Sequence, residues 1–337
     1  MSHNEVKVLA VVTVTYNSAS VLPDFIASLD GGFDSGIDWR LVVVDNDSKD
    51  DSIAIVESLA PSATVVRMER NAGYAAGINA GVRAAGPGID AYLLLNPDVR
   101  LGEGSVSTLL ESLDRFGAGV VAPRLLDARG ELIFSQRREP TLLRAWGDAL
   151  LGAERAGRWS HLGEVVSRPS AYDLRSDCAW LEGSTLLVDR ECWDAVGAWD
   201  EQFFLYSEET DFQLRVRDAG FSVLFEPSAT AVHLEGGSAQ SPALWALVQV
   251  NRVRLYKKRH RQPETFGFWL ATLARETIRS LLGSQPSRTA MRALLSRQIL
   301  SKQPGPETIA QLRGQSDPER RIPPSHAGIK TKGETSR

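Results

Sequence analysis

The chain has 337 residues, 43% hydrophobic and 24% charged, enough for one large globular domain or two ordinary ones, and a net charge of −4 gives no support for nucleic-acid binding. Its two cysteines, Cys178 and Cys192, form no C-x-x-C pair, so neither a disulfide framework nor a zinc site is indicated, and both are expected as small buried residues in a reducing cytoplasm. Met1–Lys7 is polar and lacks the apolar core of a signal peptide, and with no run of about 18 apolar residues no membrane span is expected.

Val6 to Val14 is rich in β-branched residues and predicts a first strand ending in Thr15-Tyr16-Asn17. Ser20 to Leu29 has helical spacing, with Val21, Phe25, Ile26 and Leu29 on one side. Leu41 to Val44 predicts a second buried strand ending in Asp45-Asn46-Asp47-Ser48, and Ser48 or Asp50 can cap the helix that follows. Thr64 to Val66 predicts a third strand, followed by Asn71-Ala72-Gly73-Tyr74 and an Ala- and Gly-rich helix over 75–85. Leu93-Leu94-Leu95 is a fourth strand; Pro97 cannot continue a central ladder, so the strand stops and delivers Asp98 at its end. Glu103 to Phe116 predicts a helix and Val120 to Ala122 a fifth strand.

This alternation predicts βαβ units and a mostly parallel sheet. The polar clusters follow each of the first four strands, which places them on one sheet edge, where open α/β sheets hold ligands. Asp98 there is either a turn or cap residue or a hard oxygen ligand for a cation. A dinucleotide fold would need G-x-G-x-x-G after the first strand; Thr15 to Ser20 contains no glycine, which disfavours an oxidoreductase.

Glu131 to Ser135 is expected to pair as a hairpin strand, and 137–177 to form loops and short helices of a second wall. Trp180-Leu181-Glu182-Gly183-Ser184 leads into a strand over 185–188. Ser207 can cap a helix whose first turn holds Glu208, Glu209 and Asp211; these acids either complement the helix dipole or include a general base. Strands over 221–225 and 229–232 lead to His233, either a hydrogen-bonded structural residue or part of a site beside the Gly236-Gly237 turn.

Together these stretches resemble the family 2 glycosyltransferases of GT-A fold, closest to a bacterial rhamnosyltransferase-like branch acting on polyprenyl-diphosphate-linked or cell-surface glycans. The matching pieces are Val14-Thr15-Tyr16-Asn17, Val44-Asp45-Asn46, Asn71 to Asn79, Asn96-Pro97-Asp98, Gly183-Ser184, Phe204 to Asp211, and His233, in family order over about residues 6 to 260. The resemblance implies an α/β fold: a Rossmann-like mixed sheet with flanking helices. It also implies a catalytic domain over 1–240, with a nucleotide-sugar half to about 125 and an acceptor half beyond.

It implies that Thr15, Tyr16, Asn17, Asp45 and Asn46 hold the nucleoside, and that Asn71, Gly73, Tyr74, Asn79 and Asn96 line the diphosphate and sugar. Asp98 and His233 would bind Mg²⁺ or Mn²⁺. Trp180, Glu182, Gly183, Ser184 and Glu208 would face the acceptor. The chain departs from the family at Asn96, which leaves Asp98 the one anionic ligand of that motif, and at Glu209, where the family usually has aspartate. Glu209 is the expected base, with Asp211 the alternative. The implied reaction is inverting transfer from a dTDP- or UDP-sugar, with dTDP-L-rhamnose favoured, to a glycan or lipid-linked acceptor; a nucleotide-binding protein that has lost catalysis is the rival.

Ser241 to His260 and Thr265 to Leu282 predict two C-terminal helices, basic and amphipathic, in a segment spanning 241–300. They suit either peripheral contact with an anionic membrane at the inner face of a cytoplasmic enzyme or packing with a solvated basic face. Residues 301–337, rich in Pro, Gly and charge, are expected to be disordered.

Overall fold

Val8–Thr15 (β1) is buried on both faces because helices cover both sides of the sheet it centres, which explains its near-continuous β-branched run. In this computed structural model residues 7–34, 36–234 and 241–316 are described. The chain continues through α1 (Leu22–Gly32), β2 (Asp38–Asp45), α2 (Ser52–Leu59), β3 (Thr64–Arg67), α3 (Tyr74–Ala84), β4 (Ala91–Leu95), β5 (Val99–Leu101), α4 (Ser105–Phe116) and β6 (Val120–Leu126). Then come β7 (Gln136–Arg137), α5 (Leu142–Leu151), α6 (Ala153–Gly157), β8 (Ser176–Asp177), β9 (Trp180–Leu181), β10 (Thr185–Asp189), α7 (Arg190–Val196), α8 (Glu208–Asp218) and β11 (Val223–His233). The C-terminal part adds α9 (Pro242–Arg259), α10 (Gln262–Leu281), α11 (Gln285–Leu295), α12 (Arg297–Ser301) and α13 (Pro306–Ser316).

The sheet order is β3-β2-β1-β4-β10-β6-β11-β5, with β8 on β11. β3, β2, β1 and β4 are parallel, so Thr15, Asp45, Arg67 and Leu95 end on one edge as the alternation implies. β10 runs antiparallel between β4 and β6 and brings Thr185 opposite Leu95. That reversal places the Gly183-Ser184 turn beside the end of β4: the Asn96 amide donates to the Ser184 carbonyl at 2.9 Å. β5 is antiparallel to β11, with His233 opposite Val99, and so carries His233 to the same edge.

Leu93, Leu94 and Leu95 are fully buried, each contributing roughly 1.5–3 kcal/mol of burial. α3 lies close on β1 because Gly77 and Gly81 have no side chain; a Cβ there would come within 2.7 Å of Val14 and 2.3 Å of Val12. α1, α2 and α4 seal one sheet face, and α3, α7 and α8 the other. A further core joins α5 to α9–α13, with Leu205 and Tyr206 packed against it.

Four expectations are corrected. Glu131 to Ser135 makes one bridge, Leu126 to Leu132, and the paired strand is β7 on β9. The strands expected over 221–225 and 229–232 are one strand, β11, whose register shifts between Glu226 and Thr230 around Pro227, a residue without an amide donor. Ser207 precedes α8 in a left-handed conformation (φ 74°), and its side chain makes no capping bond. Residues 306–316 form α13, held by the fully buried Leu312 and by Ile309 in the C-terminal core. The Gly236-Gly237 turn and the stretches 1–6 and 317–337 lie outside the described residues.

Candidate active site

The edge formed by β1, β2 and β4 carries the residues expected to hold the nucleoside. Thr15 is fully buried at the end of β1, and its carbonyl accepts from the Asn46 amide at 2.8 Å. Tyr16 is 50% exposed, a ring free to meet a flat ligand. Asn17 has φ 53°; its Oδ1 accepts from the Lys49 amide at 2.8 Å and its own amide donates to Ser48 Oγ at 2.9 Å, so it ties two loops together. Asp45 uses one oxygen to accept from the Ser48 amide at 3.1 Å, while its buried Oδ1 has no partner among the described residues. An unpaired buried carboxylate oxygen suits a ribose hydroxyl or a base N–H.

Among the amides expected at the nucleotide and donor site, Asn46 and Asn71 are tied to each other, and Asn79 is turned away from the cleft. Asn46 Nδ2 donates to Asn71 Oδ1 at 3.0 Å and its Oδ1 accepts from the Ala72 amide at 2.9 Å, so Asn46 and Asn71 brace the turn before α3. Asn79 is buried; its Nδ2 donates to the Trp199 carbonyl and to Glu201 Oε1, and its Oδ1 accepts from the Trp199 amide, all at 2.9 Å. It therefore locks α3 to residues 199–201 and does not face the cleft. Gly73 has φ 96°, and a Cβ there would meet the Phe204 carbonyl oxygen at 2.3 Å. Its close approach is to the 204–207 loop. Tyr74 donates its backbone amide to the same Phe204 carbonyl at 2.7 Å. Its phenol is buried without a partner among the described residues, and burial, then the charges of Glu208, Glu209 and Asp98, push its pKa up.

Asp98, His233 and Glu182 come together. His233 Nε2 lies 3.4 Å from Asp98 Oδ1, and Nδ1 lies 3.2 Å from Glu182 Oε1. Burial opposes charge on the ring, but the two flanking carboxylates overcome it and raise its pKa to about 10. Burial would raise Glu182, yet contact with His233 and the charge of Arg137 hold it below the usual carboxylate range. A carboxylate and an imidazole, with a second carboxylate behind the far ring nitrogen, fit a divalent cation: the outer acid orients the ring. No cluster of three or more such ligands forms among the described residues, so remaining positions would fall to diphosphate oxygens and water.

Residues 204–207 carry three non-glycine positive φ angles, at Phe204 (62°), Tyr206 (70°) and Ser207 (74°). Such conformations persist when surroundings enforce them. Here the enforcer is Asn251 of α9, whose Nδ2 donates to the carbonyls of Phe203, Leu205 and Tyr206 at 2.9, 2.8 and 3.1 Å. The loop sets the start of α8 and hence Glu209. Glu209 packs on Gly183, where a Cβ would come within 2.8 Å of the Glu209 Cβ. Burial, then the charge of Glu182, raise Glu209 to about 7, and its Oε2 has no partner among the described residues. A small cavity of about 100 Å³ beside it is lined by Trp180, Tyr206 and Arg252.

Two expected acids are placed elsewhere. Glu208 is 2% exposed, and burial and Glu209 raise its pKa well above its ordinary value. Asp211 is 1% exposed and paired with Arg215 at 2.9 Å and Lys258 at 2.7 Å, which removes it as a base. Ser184 is buried, its hydroxyl without a partner among the described residues. Sequence reasoning passed over Arg137, which lies over the Trp180 ring at 5.5 Å and 3.9 Å from Glu182, and over Asn251. A buried amide within the apolar run of a basic helix was the available signal for Asn251.

Residues 10–172 match the family model described as Glycosyl transferase family 2. The chain is 31% identical over 243 residues to the N-acetylglucosaminyl-diphospho-decaprenol L-rhamnosyltransferase of Mycobacterium tuberculosis, covering 67% of this chain and 76% of that protein. In fold it is similar to a mannosyltransferase of Pyrobaculum calidifontis solved with GDP-Man and Mn²⁺ (TM-score 0.53, 14% identity, 91% of this chain and 86% of that one). It is likewise similar to GalNAc-T7 solved with UDP, GalNAc and Mn²⁺ (TM-score 0.53, 15% identity, 78% and 52%). With the strand-end acids, the Asp98–His233 pair and Glu209 on one sheet edge, the chain belongs to glycosyl transferase family 2 and is a glycosyltransferase of GT-A fold.

Proposed function

We propose that this enzyme transfers L-rhamnose from dTDP-L-rhamnose, with inversion, to a glycan carried on a polyprenyl diphosphate in cell-envelope polysaccharide synthesis. The name of the 31% identical relative supports both the sugar and the acceptor class. The observation that carries the chemistry is Glu209: its carboxyl sits near neutral pKa, with an unpaired oxygen, on the element that borders the Asp98–His233 pair through Glu182. A base poised near the working pH takes a proton from an acceptor hydroxyl at little cost. Asp45 holds the nucleoside and Tyr16 stacks on its base. Asp98 and His233 would hold Mg²⁺ or Mn²⁺, which when bound supplies positive charge against the leaving nucleoside diphosphate.

Attack by the acceptor oxygen on the face opposite the departing diphosphate inverts the anomeric carbon. In this reading Gly183 and the 204–207 loop fix where Glu209 meets that hydroxyl. A transfer assay with dTDP-rhamnose and a lipid-diphosphate glycan tests the reading. Glu209→Gln should lower kcat by about 10²–10⁴-fold while dTDP still binds. Wild-type kcat should fall below about pH 7, because protonation of a carboxyl raised to about 7 removes the base. Near-normal turnover of Glu209→Gln, or a flat profile from pH 5.5 to 8, would refute the assignment.

A lipid-linked acceptor also accounts for the outer face of the C-terminal core. α10 exposes Phe266, Leu270, Ile278 and Leu281, and α5 exposes Leu143 and Leu150. Between Phe266 and Gly305 the cations Arg279, Arg288, Arg297 and Lys302 are exposed, and the one acid, Glu276, is buried. Exposed apolar side chains among uncompensated cations suit an anionic bilayer surface. We propose peripheral contact of this face with an anionic bilayer; no helix among the described residues is long and apolar enough to cross a membrane.

A further inference from the structure

α13 stands over the nucleoside end of the cleft. A cavity of about 400 Å³ separates Tyr16 and Asn71 on the sheet edge from Pro306, Ile309, Ala310, Arg313 and Gly314 on the helix. Those five positions recur at i, i+3, i+4, i+7 and i+8, which is one face of an α-helix. Leu312 is fully buried in the core shared with α9 and α11, so the helix is anchored and its cavity-side face is set by that docking. On this face proline, alanine and glycine leave room, and Arg313 supplies the long cationic side chain. The cavity volume falls within the range of small-ligand sites.

The charge of the two walls differs. The strand-end wall contributes the carboxylates Asp45 and Asp98, which suit hydroxyls or a cation and repel bare phosphate oxygens. Lys49 and Arg67 near that edge are paired with Asp47 and Glu57, and the cation that lines the cavity is Arg313 on the facing wall. A guanidinium is suited to a diphosphate because it donates in a fork to paired phosphate oxygens. We propose that α13 is the outer wall of the donor site and that Arg313 binds the diphosphate of the nucleotide. This rests on the donor being a nucleoside-diphosphate sugar.

Titration calorimetry on the full chain with excess Mg²⁺ tests it, using dTDP, UDP and the matching nucleosides as probes. Arg313→Ala should weaken diphosphate binding about tenfold or more and leave nucleoside binding unchanged, with Arg313→Lys between them. Leu312→Asp, which undocks the helix, should give the same diphosphate-selective loss. Unchanged dTDP and UDP affinity in Arg313→Ala would overturn the inference, as would an equal loss for nucleoside and diphosphate. Wild-type protein that binds neither diphosphate would instead overturn the donor reading itself.

Discussion

Replacing Gly183 with alanine adds one methyl group against Glu209, the proposed base. The new Cβ would lie 2.8 Å from the Glu209 Cβ and 2.9 Å from its Cγ, where carbon atoms ordinarily rest at about 3.5–4.0 Å. The two must separate by roughly 0.7–1 Å. Neither side yields easily: Thr185, two residues on, is fully buried in β10, and Glu209 sits in the first turn of α8. Overpacking of this kind costs about 1–3 kcal/mol, and a misplacement near 1 Å can cost on the order of 10²-fold in rate. Gly183→Ala should therefore lower kcat by about 10–100-fold and Tm by several degrees, while dTDP affinity stays within a factor of about two. Steady-state transfer kinetics, thermal melting and calorimetric nucleotide binding give the three readouts. A folded variant with wild-type kcat would show that Glu209 does not depend on this contact, and the argument for its placement would fall.

Asn251→Ala removes the amide that three loop carbonyls share; leaving buried carbonyls unpaired costs about 1–3 kcal/mol. Expected results are a lower melting temperature and faster amide exchange in 203–207, and unchanged exchange there would refute the clamp. Flotation with anionic liposomes at low salt should carry the enzyme to the lipid fraction, and Leu281→Asp with Phe266→Asp should abolish this; wild-type protein left at the bottom would count against the bilayer assignment.

The parallel half of the fold was legible because β1, β2 and β4 are buried on both faces and so leave unbroken apolar runs in the sequence. Polar residues at their ends also stood out, since little else interrupts such runs. What those side chains bond was not legible. Asn46 and Asn71 have the composition of donor contacts and also brace a turn, while Asn79 spends its amide on residues 199–201. Gly73 looked like a phosphate glycine, but its neighbour is the backbone of Phe204, 131 positions away in the chain. The Asp211 carboxyl was ambiguous because its partner Lys258 comes from a distant helix. α13 escaped notice because Ile309 and Leu312 are too few to make a periodic signal, and the bundle beneath supplies the rest.

The Phe204 carbonyl accepts from Tyr74 at the start of α3 and also occupies the space that any side chain at position 73 would need. One peptide group thus joins α3 to the loop that precedes Glu209, the proposed base. Chimaeras that exchange acceptor halves between relatives to alter linkage would cut through this joint. Such grafts should keep residues 73–74 and 203–207 from a single parent, or the two halves will meet with their reactive groups out of step.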